Sequence, residues 1–328
     1  MKAFVLRSYG SPDLLELTDL DEPVPADDEV LVRVAATSIN PYDWHNLRGQ
    51  PYVARLMPGG MGMRAPKLSI LGCDMAGRVT SAGQNVTGFR PGDEVFALLP
   101  GGGFAEYVCV PQSLLAPKPK NLSFEQAAAV PMAAITALLG LHDQGRLQPG
   151  QKVLVTGASG GIGTFAVQIA RALGADVTAV CRAANAQLVR SLGASEVIDY
   201  TTQDFTRQDQ RYDLLLDIAG ARGARASRRA LKPHGTFVTV GGPAGRWFQP
   251  AARMFAALAL APVVSQRMAM TDTGRSTEHR NNLVTLAELI EDGKVTPVIG
   301  RCYPFADIPA AIEYHEQGHI RGKVAVTM

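Results

Sequence analysis

The chain has 328 residues, of which 46% are hydrophobic and 19% are charged. At roughly 100–200 residues per domain, this length predicts about two domains, each able to bury a core without disulfide or metal staples. The 32 basic and 30 acidic residues leave a net charge of +2, which gives no electrostatic reason to expect nucleic acid or a membrane as the main partner. We therefore expect a small neutral ligand.

The cysteine pattern excludes two kinds of structural site. The four cysteines are scattered, and no two of them have the two-residue spacing of a zinc knuckle or a redox motif. We therefore expect neither a disulfide framework nor a structural zinc site at Cys73, Cys109, Cys181 or Cys302.

Two features of the hydrophobic pattern bear on location. Residues 1–7 lack the apolar core of a signal peptide. The most hydrophobic stretch, 254–264, is about half of the ~20 residues needed to cross a bilayer. We expect a soluble cytoplasmic protein with no membrane partner.

The first part of the chain, up to about residue 123, contains short strands and turns. Apolar and β-branched residues predict strands at 30–36, 77–80 and 93–99, and turn residues precede the first and the last of them. No helical period is present between residues 2 and 40. This part is predicted to be an all-β, barrel-like domain.

The pattern changes at Ser123, which with Gln126 forms the capping box of a helix that Pro131 should end or kink. After residue 150, strands and helices alternate, and the strands are continuously apolar. This pattern is typical of an α/β fold with a doubly wound parallel sheet. The predicted strands are 152–156, 176–181, 196–198, 212–217 and 236–240, and the predicted helices are 161–173, 185–192 and 222–231.

The last third of the chain returns to mixed structure. Residues 246–275 combine aromatic residues and arginines with an apolar helix at 251–260. Beyond them, the sequence predicts helices at 279–292 and 308–317, a short strand near 295–299 and a final strand at 323–327.

A glycine-rich turn joins strand 152–156 to the next helix, in the sequence Gly157-Ala158-Ser159-Gly160-Gly161-Ile162-Gly163. Glycines are needed where a chain turns tightly, where its backbone approaches a pyrophosphate and where a helix packs on a strand. An ordinary tight turn is the alternative, but the strand before and the helix after supply the context of a dinucleotide site.

Glycine turns of this kind occur in two families, the short-chain and the medium-chain dehydrogenases. Short-chain enzymes begin with the turn and need a Tyr followed four residues later by a Lys, which lowers the pKa of the Tyr. Here about 150 residues precede the turn, and none of the eight tyrosines has a Lys four positions on. The short-chain interpretation therefore fails.

Six further motifs along the chain accompany the glycine turn. They are Val34-x-x-x-Ser38-Ile39-Asn40-Pro41-x-Asp43-Trp44, Leu71-Gly72-x-Asp74-x-Ala76-Gly77, Phe89-Arg90-Pro91-Gly92-Asp93-Glu94-Val95, Gly103-x-Ala105-Glu106-Tyr107, Ala128-Ala129-Val130-Pro131 and Gly322-Lys323-Val324. With these motifs, the whole chain resembles the zinc-free quinone oxidoreductase group of the medium-chain dehydrogenase/reductase superfamily. This resemblance implies a GroES-like β-barrel catalytic domain at 1–123 and 273–328, a Rossmann NADP-binding domain at 124–272, and a homodimer.

The cofactor is predicted from the end of the second strand of the nucleotide domain. An NAD enzyme usually places Asp or Glu there to bind the ribose 2′-hydroxyl, but this strand ends in Val180-Cys181-Arg182. Arg182 would attract the 2′-phosphate of NADPH, and its alternative is a solvated surface arginine. We predict NADP(H).

By resemblance, further residues line the cofactor cleft. Tyr200 matches a family tyrosine beside the adenosine phosphate, and the alternative is that it caps the core as an aromatic residue at the end of a strand. Arg321 and Lys323 also match cleft positions, and the alternative is that they are solvated charges on the surface. The remaining matched positions are Thr136, Ser159, Gly160, Gly161, Ile162, Ala219, Val240 and Gly241.

Zinc-dependent relatives bind their catalytic zinc with a Cys, a Gly-His-Glu motif and a later Cys. In this sequence, Asp43 aligns with the first Cys ligand. The region of the Gly-His-Glu motif is Gly72-Cys73-Asp74, which lacks the His ligand. A catalytic zinc needs about three protein ligands, and a site formed by Asp43, His45 and Cys73 is the alternative. Cys73 is expected instead to be a small buried residue. We predict no metal.

Without a metal, the expected reaction is hydride transfer from the nicotinamide to a quinone, enone or related carbonyl. The candidates at the reacting end are Asn40, Tyr42, Asp43 and Tyr52. Asn40 matches a family residue near the nicotinamide, and capping the turn before Pro41 is its alternative. Tyr42 and Tyr52 are candidates for the proton donor, and the alternative is that they form the wall of the pocket. The alternative role of Asp43 is to hold the loop in place.

Two surfaces complete the prediction. Residues 51–66, rich in glycine and methionine, are expected to form an adaptable rim for an apolar substrate. Trp247, Phe248, Met254 and Phe255 form either the opposite wall or a subunit contact.

The alternative to an enzyme is a non-catalytic NADPH-binding sensor or structural protein, because fold does not imply activity.

Overall fold

The structure is a computed structural model that describes residues 1–56, 61–242, 245–249, 251–271, 273, 279–318 and 320–328. Its helices are α1 (Pro41–Arg48), α2 (Val53–Leu56), α3 (Phe124–Ala128), α4 (Pro131–Leu138), α5 (Gly161–Ala172), α6 (Ala186–Ser191), α7 (Ala224–Ser227), α8 (Ala251–Leu260), α9 (His279–Glu291) and α10 (Ile308–Glu316). Its strands are β1 (Lys2–Leu6), β2 (Leu15–Asp19), β3 (Glu29–Ile39), β4 (Asp74–Ala82), β5 (Glu94–Leu98), β6 (Tyr107–Pro111), β7 (Leu115–Pro117), β8 (Lys152–Thr156), β9 (Asp176–Cys181), β10 (Glu196–Asp199), β11 (Tyr212–Asp217), β12 (Leu231–Thr239), β13 (Arg267–Met270), β14 (Ile299–Pro304) and β15 (Lys323–Thr327).

The chain forms two compact units. The first unit contains residues 1–132, 277–291 and 297–328, and the second contains residues 133–276 and 292–296. The predicted boundary after residue 123 lies at the start of α3, whereas the first unit continues to Met132. The backbone N–H of Met132 donates to Asp74 over 2.8 Å, which ties this segment to the first unit.

The first unit is built around β3, the longest of its described strands. β3 pairs antiparallel with β4, β6 and β15, and the sheet has the order β14-β15-β3-β4-β5-β7. One core cluster contains Val30, Val32 and Val34 of β3, because alternate residues of a strand share a face. A second cluster gathers Ile39, Leu47 and Phe104 under α10.

The second unit has the strand order β10-β9-β8-β11-β12-β13, and all of these strands are parallel. This is the Rossmann order, in which the chain reverses direction across the sheet between β8 and β11. The apolar runs of β8 and β11 are fully buried, as expected where both faces of a sheet are covered. The carboxyl ends of β8, β9 and β11 therefore meet at one edge.

The structure confirms most of the predicted elements of the second unit. The strands 152–156, 176–181 and 212–217 and the helix 251–260 have the predicted bounds. In the first unit, the predicted Ser123 capping box is present, and α3 ends before Pro131, where α4 begins.

Other elements were not predicted, or were predicted with different bounds. α1 was not predicted, because Asn40-Pro41 was interpreted as a turn, whereas Asn40 caps a helix that starts at Pro41. β13 was missed, and the strand placed near 295–299 lies at Ile299–Pro304. The helix predicted at 222–231 is shorter, because Leu231 already belongs to β12. In the described part of the chain, no helix has the length and apolar content needed to cross a membrane.

Candidate active site and cofactor site

The glycine turn after β8 has a conformation that only glycine accommodates at two positions. Gly157 has φ +66°, in the left-handed region. A Cβ on Gly163 would lie 2.1 Å from the Gly157 carbonyl oxygen, so α5 packs directly on the turn. No side chain caps the N-terminus of α5, which begins after Gly160. This free helix N-terminus fits a pyrophosphate group.

A buried hydroxyl shapes the neighbouring turn after β11. Thr156, at the end of β8, donates its hydroxyl to Asp217 over 2.7 Å. The same oxygen accepts the backbone N–H groups of Ile218 and Ala219 at 3.0 and 3.2 Å. The turn that carries Ala219 is thereby fixed against the end of β8.

Arg182 and Tyr200 meet beyond the ends of β9 and β10. Arg182 Nε donates to the Tyr200 hydroxyl over 2.7 Å, and Tyr200 remains 45% exposed. Nearby, Asn185 Nδ2 donates to Ser159 Oγ over 3.0 Å. Asp199, at the end of β10, has its pKa lowered mainly by hydrogen bonds from Thr201. A guanidinium oriented by a phenol oxygen therefore stands where an NAD enzyme would present an acid.

The predicted cofactor residues divide between the two units. Most of them lie in the second unit at the carboxyl edge of its sheet: Ser159, Gly160, Gly161, Ile162, Arg182, Tyr200, Ala219, Val240 and Gly241. Thr136 lies on α4, and its hydroxyl oxygen is 2.8 Å from that of Thr273. Arg321 and Lys323 belong to the first unit. Among the described residues, a Cβ on Gly241 would meet only the Ile218 carbonyl oxygen, at 3.6 Å, which leaves space beside this part of the backbone.

The first unit contains a buried polar group that we call the Asp74 cluster, formed by Ser38, Asn40, Asp74 and Lys323. One oxygen of Asp74 accepts hydrogen bonds from Ser38 Oγ at 2.5 Å, Asn40 Nδ2 at 2.8 Å and Lys323 Nζ at 3.2 Å. The other oxygen accepts the Met132 N–H. A buried carboxylate with this many donors is fully compensated.

Lys323 is 4% exposed, so its alternative interpretation as a solvated surface charge was wrong. Its ammonium donates to the side-chain oxygen of Asn40 as well as to Asp74. Arg321, two residues earlier, is exposed. The two charges that the sequence treated alike therefore have different environments.

Asn40 and Asp43 hold the chain at the start of α1. Asp43 accepts the N–H of Asn40 at 2.8 Å and that of Gly72 at 3.1 Å, and Asn40 in turn caps the helix. Burial, with a smaller contribution from Asp74, raises the pKa of Asp43 to about 7. Both side chains form their hydrogen bonds with neighbouring protein groups. In this arrangement they are therefore positioning residues.

Tyr42 and Tyr52 have different surroundings. Tyr42 donates to the Pro100 carbonyl over 3.3 Å and is 40% exposed, and burial raises the pKa of its phenol. Tyr52 has the Arg55 guanidinium 4.9 Å from its ring centre, and Arg55 also donates to the Gly49 carbonyl. Residues 57–60 of the predicted rim lie outside the described residues.

The residues considered for zinc do not fit it. His45 Nδ1 lies 2.8 Å from the Gln50 carbonyl oxygen, and Asp43 is occupied by two backbone N–H groups. Cys73 accepts a hydrogen bond from Asn40, and burial raises the pKa of its thiol, which disfavours the thiolate that binds metal. The described residues contain no group of three or more His, Cys, Asp or Glu placed to hold a metal.

Comparison with known proteins identifies the family. Residues 26–120 match the alcohol dehydrogenase GroES-like domain, and residues 192–326 match the domain described as zinc-binding dehydrogenase. The chain is 34% identical to the mitochondrial NAD(P)H oxidoreductase RTN4IP1 of Mus musculus, covering 100% of this chain and 89% of that protein. The chain belongs to the medium-chain dehydrogenase/reductase superfamily.

Within the medium-chain superfamily, this chain is quinone oxidoreductase-like. It is similar to the quinone oxidoreductase structure from Coxiella burnetii, with 28% identity, a TM-score of 0.86 and coverage of 100% and 99% of the two chains. It is also 33% identical to the 2-methylene-furan-3-one reductase of Solanum lycopersicum, covering 99% of this chain and 79% of that protein. The protein is therefore an oxidoreductase of the medium-chain type that uses a nicotinamide cofactor.

The second unit supplies the residues that fit such a cofactor. The N-terminus of α5 and the open backbone at Gly160 and Gly241 fit its phosphates and ribose, and Arg182 lies at the end of β9. When bound in reduced form, the nicotinamide supplies a hydride. The chain's own task is to hold and orient the cofactor and the acceptor.

Three residues that shape the sites of this medium-chain oxidoreductase were not predicted from the sequence. Asp74 was noted only as part of a motif, and Thr156 and Asp217 only as strand residues. A signal was available for Asp217, because it is a carboxylate at the end of an apolar strand, and for Asp74, which lies next to the apolar residues Met75 and Ala76; burial of a carboxylate requires partners. The partners themselves are distant in sequence.

Proposed function

We propose that this protein is a zinc-independent, NADPH-dependent reductase that transfers a hydride to a quinone, an enone or a related carbonyl acceptor. The observation that carries the cofactor choice is Arg182, which is held by Tyr200 at the end of β9. The names of its relatives support the acceptor class, since one is a quinone oxidoreductase and another is a 2-methylene-furan-3-one reductase.

The preference for NADPH follows from charge. The ribose 2′-phosphate is a dianion near neutral pH, and a planar guanidinium binds phosphate oxygens bidentately. Tyr200 occupies the Nε of Arg182, which leaves the terminal NH groups of the fork for the phosphate. NADH lacks this phosphate and gains nothing from the pair.

A quinone or enone suits a site without a Lewis acid. Negative charge develops on the acceptor oxygen, where one hydrogen-bond donor or a water stabilises it. We assign this donor to Tyr42, because it is 40% exposed and its phenol carries a proton that an acceptor oxygen can take up. Its long bond to the Pro100 carbonyl is readily exchanged for one to a substrate oxygen.

The Asp74 cluster has a supporting part in this proposal. Lys323 and Asp74 fix the amide of Asn40, and Asn40 and Asp43 together fix the first turn of α1, on which Tyr42 lies. The phenol is then presented from a rigid helix turn. A positioned general acid contributes about 10²–10⁴-fold to a proton-transfer step.

Steady-state oxidation of NADPH and NADH with a panel of quinones and enones tests the reaction. We expect turnover with NADPH that is unchanged after dialysis against a chelator. Tyr42→Phe should lower kcat with an enone at least about tenfold, whereas the matched Tyr52→Phe should have a smaller effect. Absence of turnover with every acceptor would favour the non-catalytic NADPH-binding alternative, and activity restored only by zinc would contradict zinc independence.

A further inference from the structure

Two buried side chains meet at the carboxyl ends of β8 and β11. Thr156 and Asp217 are register partners in the last paired position of these strands, and they are 2% and 1% exposed. The chain reverses direction across the sheet at this point, which is where open parallel sheets bind their ligands. Because both side chains are enclosed by protein atoms, their effect on a ligand passes through the backbone that they hold.

The pair accepts three consecutive N–H groups of the turn after β11. Thr156 Oγ1 accepts those of Ile218 and Ala219 at 3.0 and 3.2 Å, and Asp217 Oδ1 accepts that of Gly220 at 3.2 Å. The hydroxyl proton of Thr156 is donated to the same Asp217 oxygen over 2.7 Å. Since that proton goes to the carboxylate, both lone pairs of the hydroxyl oxygen are available to the turn. Two side chains therefore set the direction of all three N–H groups.

This arrangement gives the turn a definite polarity. In a trans peptide, each C=O points opposite to the N–H of the following residue. The N–H groups of Ala219 and Gly220 point back to the strand ends, so the carbonyl oxygens of Ile218 and Ala219 point away from them, beyond the carboxyl edge of the sheet. Ala219 is exposed there. The turn consequently presents hydrogen-bond acceptors, whereas the free N-terminus of α5 presents donors.

The turn 218–220 lies between two glycines at this edge. A Cβ on Gly157 would lie 3.3 Å from the backbone nitrogen of Ala219, and a Cβ on Gly241 would lie 3.6 Å from the carbonyl oxygen of Ile218. The end of β12 is tied to the same place, since the N–H of Val240 donates to the Asp217 carbonyl over 3.0 Å. A displacement of the turn would therefore change the carboxyl edge on both sides.

We propose that Thr156 and Asp217 are positioning residues for the nicotinamide cofactor. They orient the turn 218–220 so that its outward carbonyl oxygens accept hydrogen bonds from hydroxyl groups of the cofactor, while the cofactor's phosphates meet the N–H groups of α5. A turn that is already held in its binding orientation loses less entropy when the ligand binds. The proposal rests on the use of a nicotinamide cofactor and is independent of the choice of NADPH and of the acceptor.

Thr156→Val in the full-length protein tests the proposal, because valine has nearly the same volume and lacks the hydroxyl. We expect the Kd values of NADPH and NADH, measured by fluorescence titration without an acceptor, to rise together by about tenfold. Thr156→Ser keeps the hydroxyl and should bind both nucleotides within about threefold of the natural chain. The matched control is Thr178→Val, since Thr178 is also 2% exposed but lies within β9, away from the carboxyl edge. It should leave both Kd values unchanged.

Asp217→Asn is a second variant, which keeps the shape of the side chain and weakens its acceptor. It should raise both Kd values about threefold or more. Combined with Thr156→Val, it should weaken NADPH binding by less than the product of the two single effects, because both side chains act on one turn.

Hydrogen exchange gives a readout that does not depend on affinity. In the protein without cofactor, the amides of the turn 218–220 should exchange at least about tenfold faster in Thr156→Val than in the natural chain. The amides of β8 should exchange at an unchanged rate. Together with the rescue by Thr156→Ser, this result would separate orientation of the turn from a general loss of stability.

Three results would each overturn the proposal. They are unchanged nucleotide affinities in Thr156→Val and Asp217→Asn, a loss of affinity that Thr156→Ser does not recover, and a lower melting temperature of Thr156→Val with unchanged exchange at the turn. The last result would limit the pair to the overall stability of the second unit. Because these are measurements of binding and exchange, a lack of turnover with quinones or enones would not alter them.

Discussion

Arg182 and Tyr200 lie at the ends of neighbouring parallel strands and are joined by a 2.7 Å hydrogen bond from the guanidinium Nε to the phenol oxygen. The bond fixes the plane of the guanidinium, which would otherwise be a mobile surface group with a large rotamer entropy. A pre-oriented cation loses less entropy when it binds a phosphate. The proposed preference for NADPH depends on this pair.

Replacing Arg182 tests that preference. Arg182→Ala should weaken NADPH binding about 10- to 100-fold, because it removes charge-assisted hydrogen bonds worth about 1.5–3 kcal/mol. Binding of NADH should change by less than about twofold. Fluorescence titration with both nucleotides measures this, and Arg190→Ala, an exposed arginine on α6, is the matched control. Equal losses for NADPH and NADH would reject the role of Arg182.

The glycine turn offers a pair of variants that separates folding from cofactor binding. A Cβ on Gly163 would collide with the Gly157 carbonyl oxygen at 2.1 Å, so Gly163→Ala should lower the free energy of unfolding by about 2 kcal/mol or more. Within the part of the chain that the structure describes, a Cβ on Gly160 meets only the same oxygen, at 3.5 Å. Gly160→Ala should keep a near-native melting temperature but weaken NADPH binding, since the added methyl group faces the ligand. If Gly160→Ala binds NADPH normally, the phosphates do not approach this residue.

The Lys323–Asp74 pair predicts strong energetic coupling. Lys323→Met leaves a buried carboxylate without its cation, and the free energy of unfolding should fall by about 3–5 kcal/mol. Combining Lys323→Met with Asp74→Asn should cost less than the sum of the two single changes. Urea denaturation of the four proteins in this cycle measures the coupling. Additive losses would show that the two residues act independently.

His315 predicts a pH dependence of stability. Burial, assisted by the nearby charge of Lys323, lowers the pKa of His315 to about 3, and its Nδ1 has no hydrogen-bond partner among the described residues. In the unfolded chain this group takes up a proton near pH 6.5, so between about pH 6.5 and 3 the unfolded state binds more protons than the folded one. Stability is therefore lost as the pH falls through this window, by up to about 1.4 kcal/mol per pH unit.

His315→Leu removes this contribution. The difference in the free energy of unfolding between pH 7.5 and pH 5.0 should be about 1–2 kcal/mol smaller in the variant than in the natural chain. Urea denaturation at the two pH values measures it. Asp43, whose raised pKa acts in the opposite direction, is present in both proteins and cancels in the comparison. An identical pH dependence in both proteins would mean that His315 is not held neutral by the fold.

Local signals determined how much of the fold could be predicted. The apolar run of β8, the Ser123 capping box and the glycine turn each depend on neighbours within a few residues, and all three were predicted correctly. α1 was missed because its sequence, with Pro41 first, gives no apolar period, and the helix depends on the interaction of Asn40 with Asp43.

The polar site was harder to predict because its contacts are distant along the chain. Lys323 and Asp74 are 249 positions apart, so no spacing pattern indicates that they pair. The apolar sequence of α8 shows the same limit, because only the structure adds that Phe255 is exposed whereas Ala257 is buried.

The central claim is that the protein transfers a hydride from NADPH to an electron-poor acceptor. The most direct measurement uses NADPH carrying deuterium at both C4 positions, an enone acceptor and mass spectrometry of the product. We predict one deuterium at the β-carbon of the reduced enone, together with a slower turnover than with unlabelled NADPH when the chemical step limits the rate. Tight NADPH binding with no deuterium in any product would contradict the claim and favour a non-catalytic NADPH-binding protein.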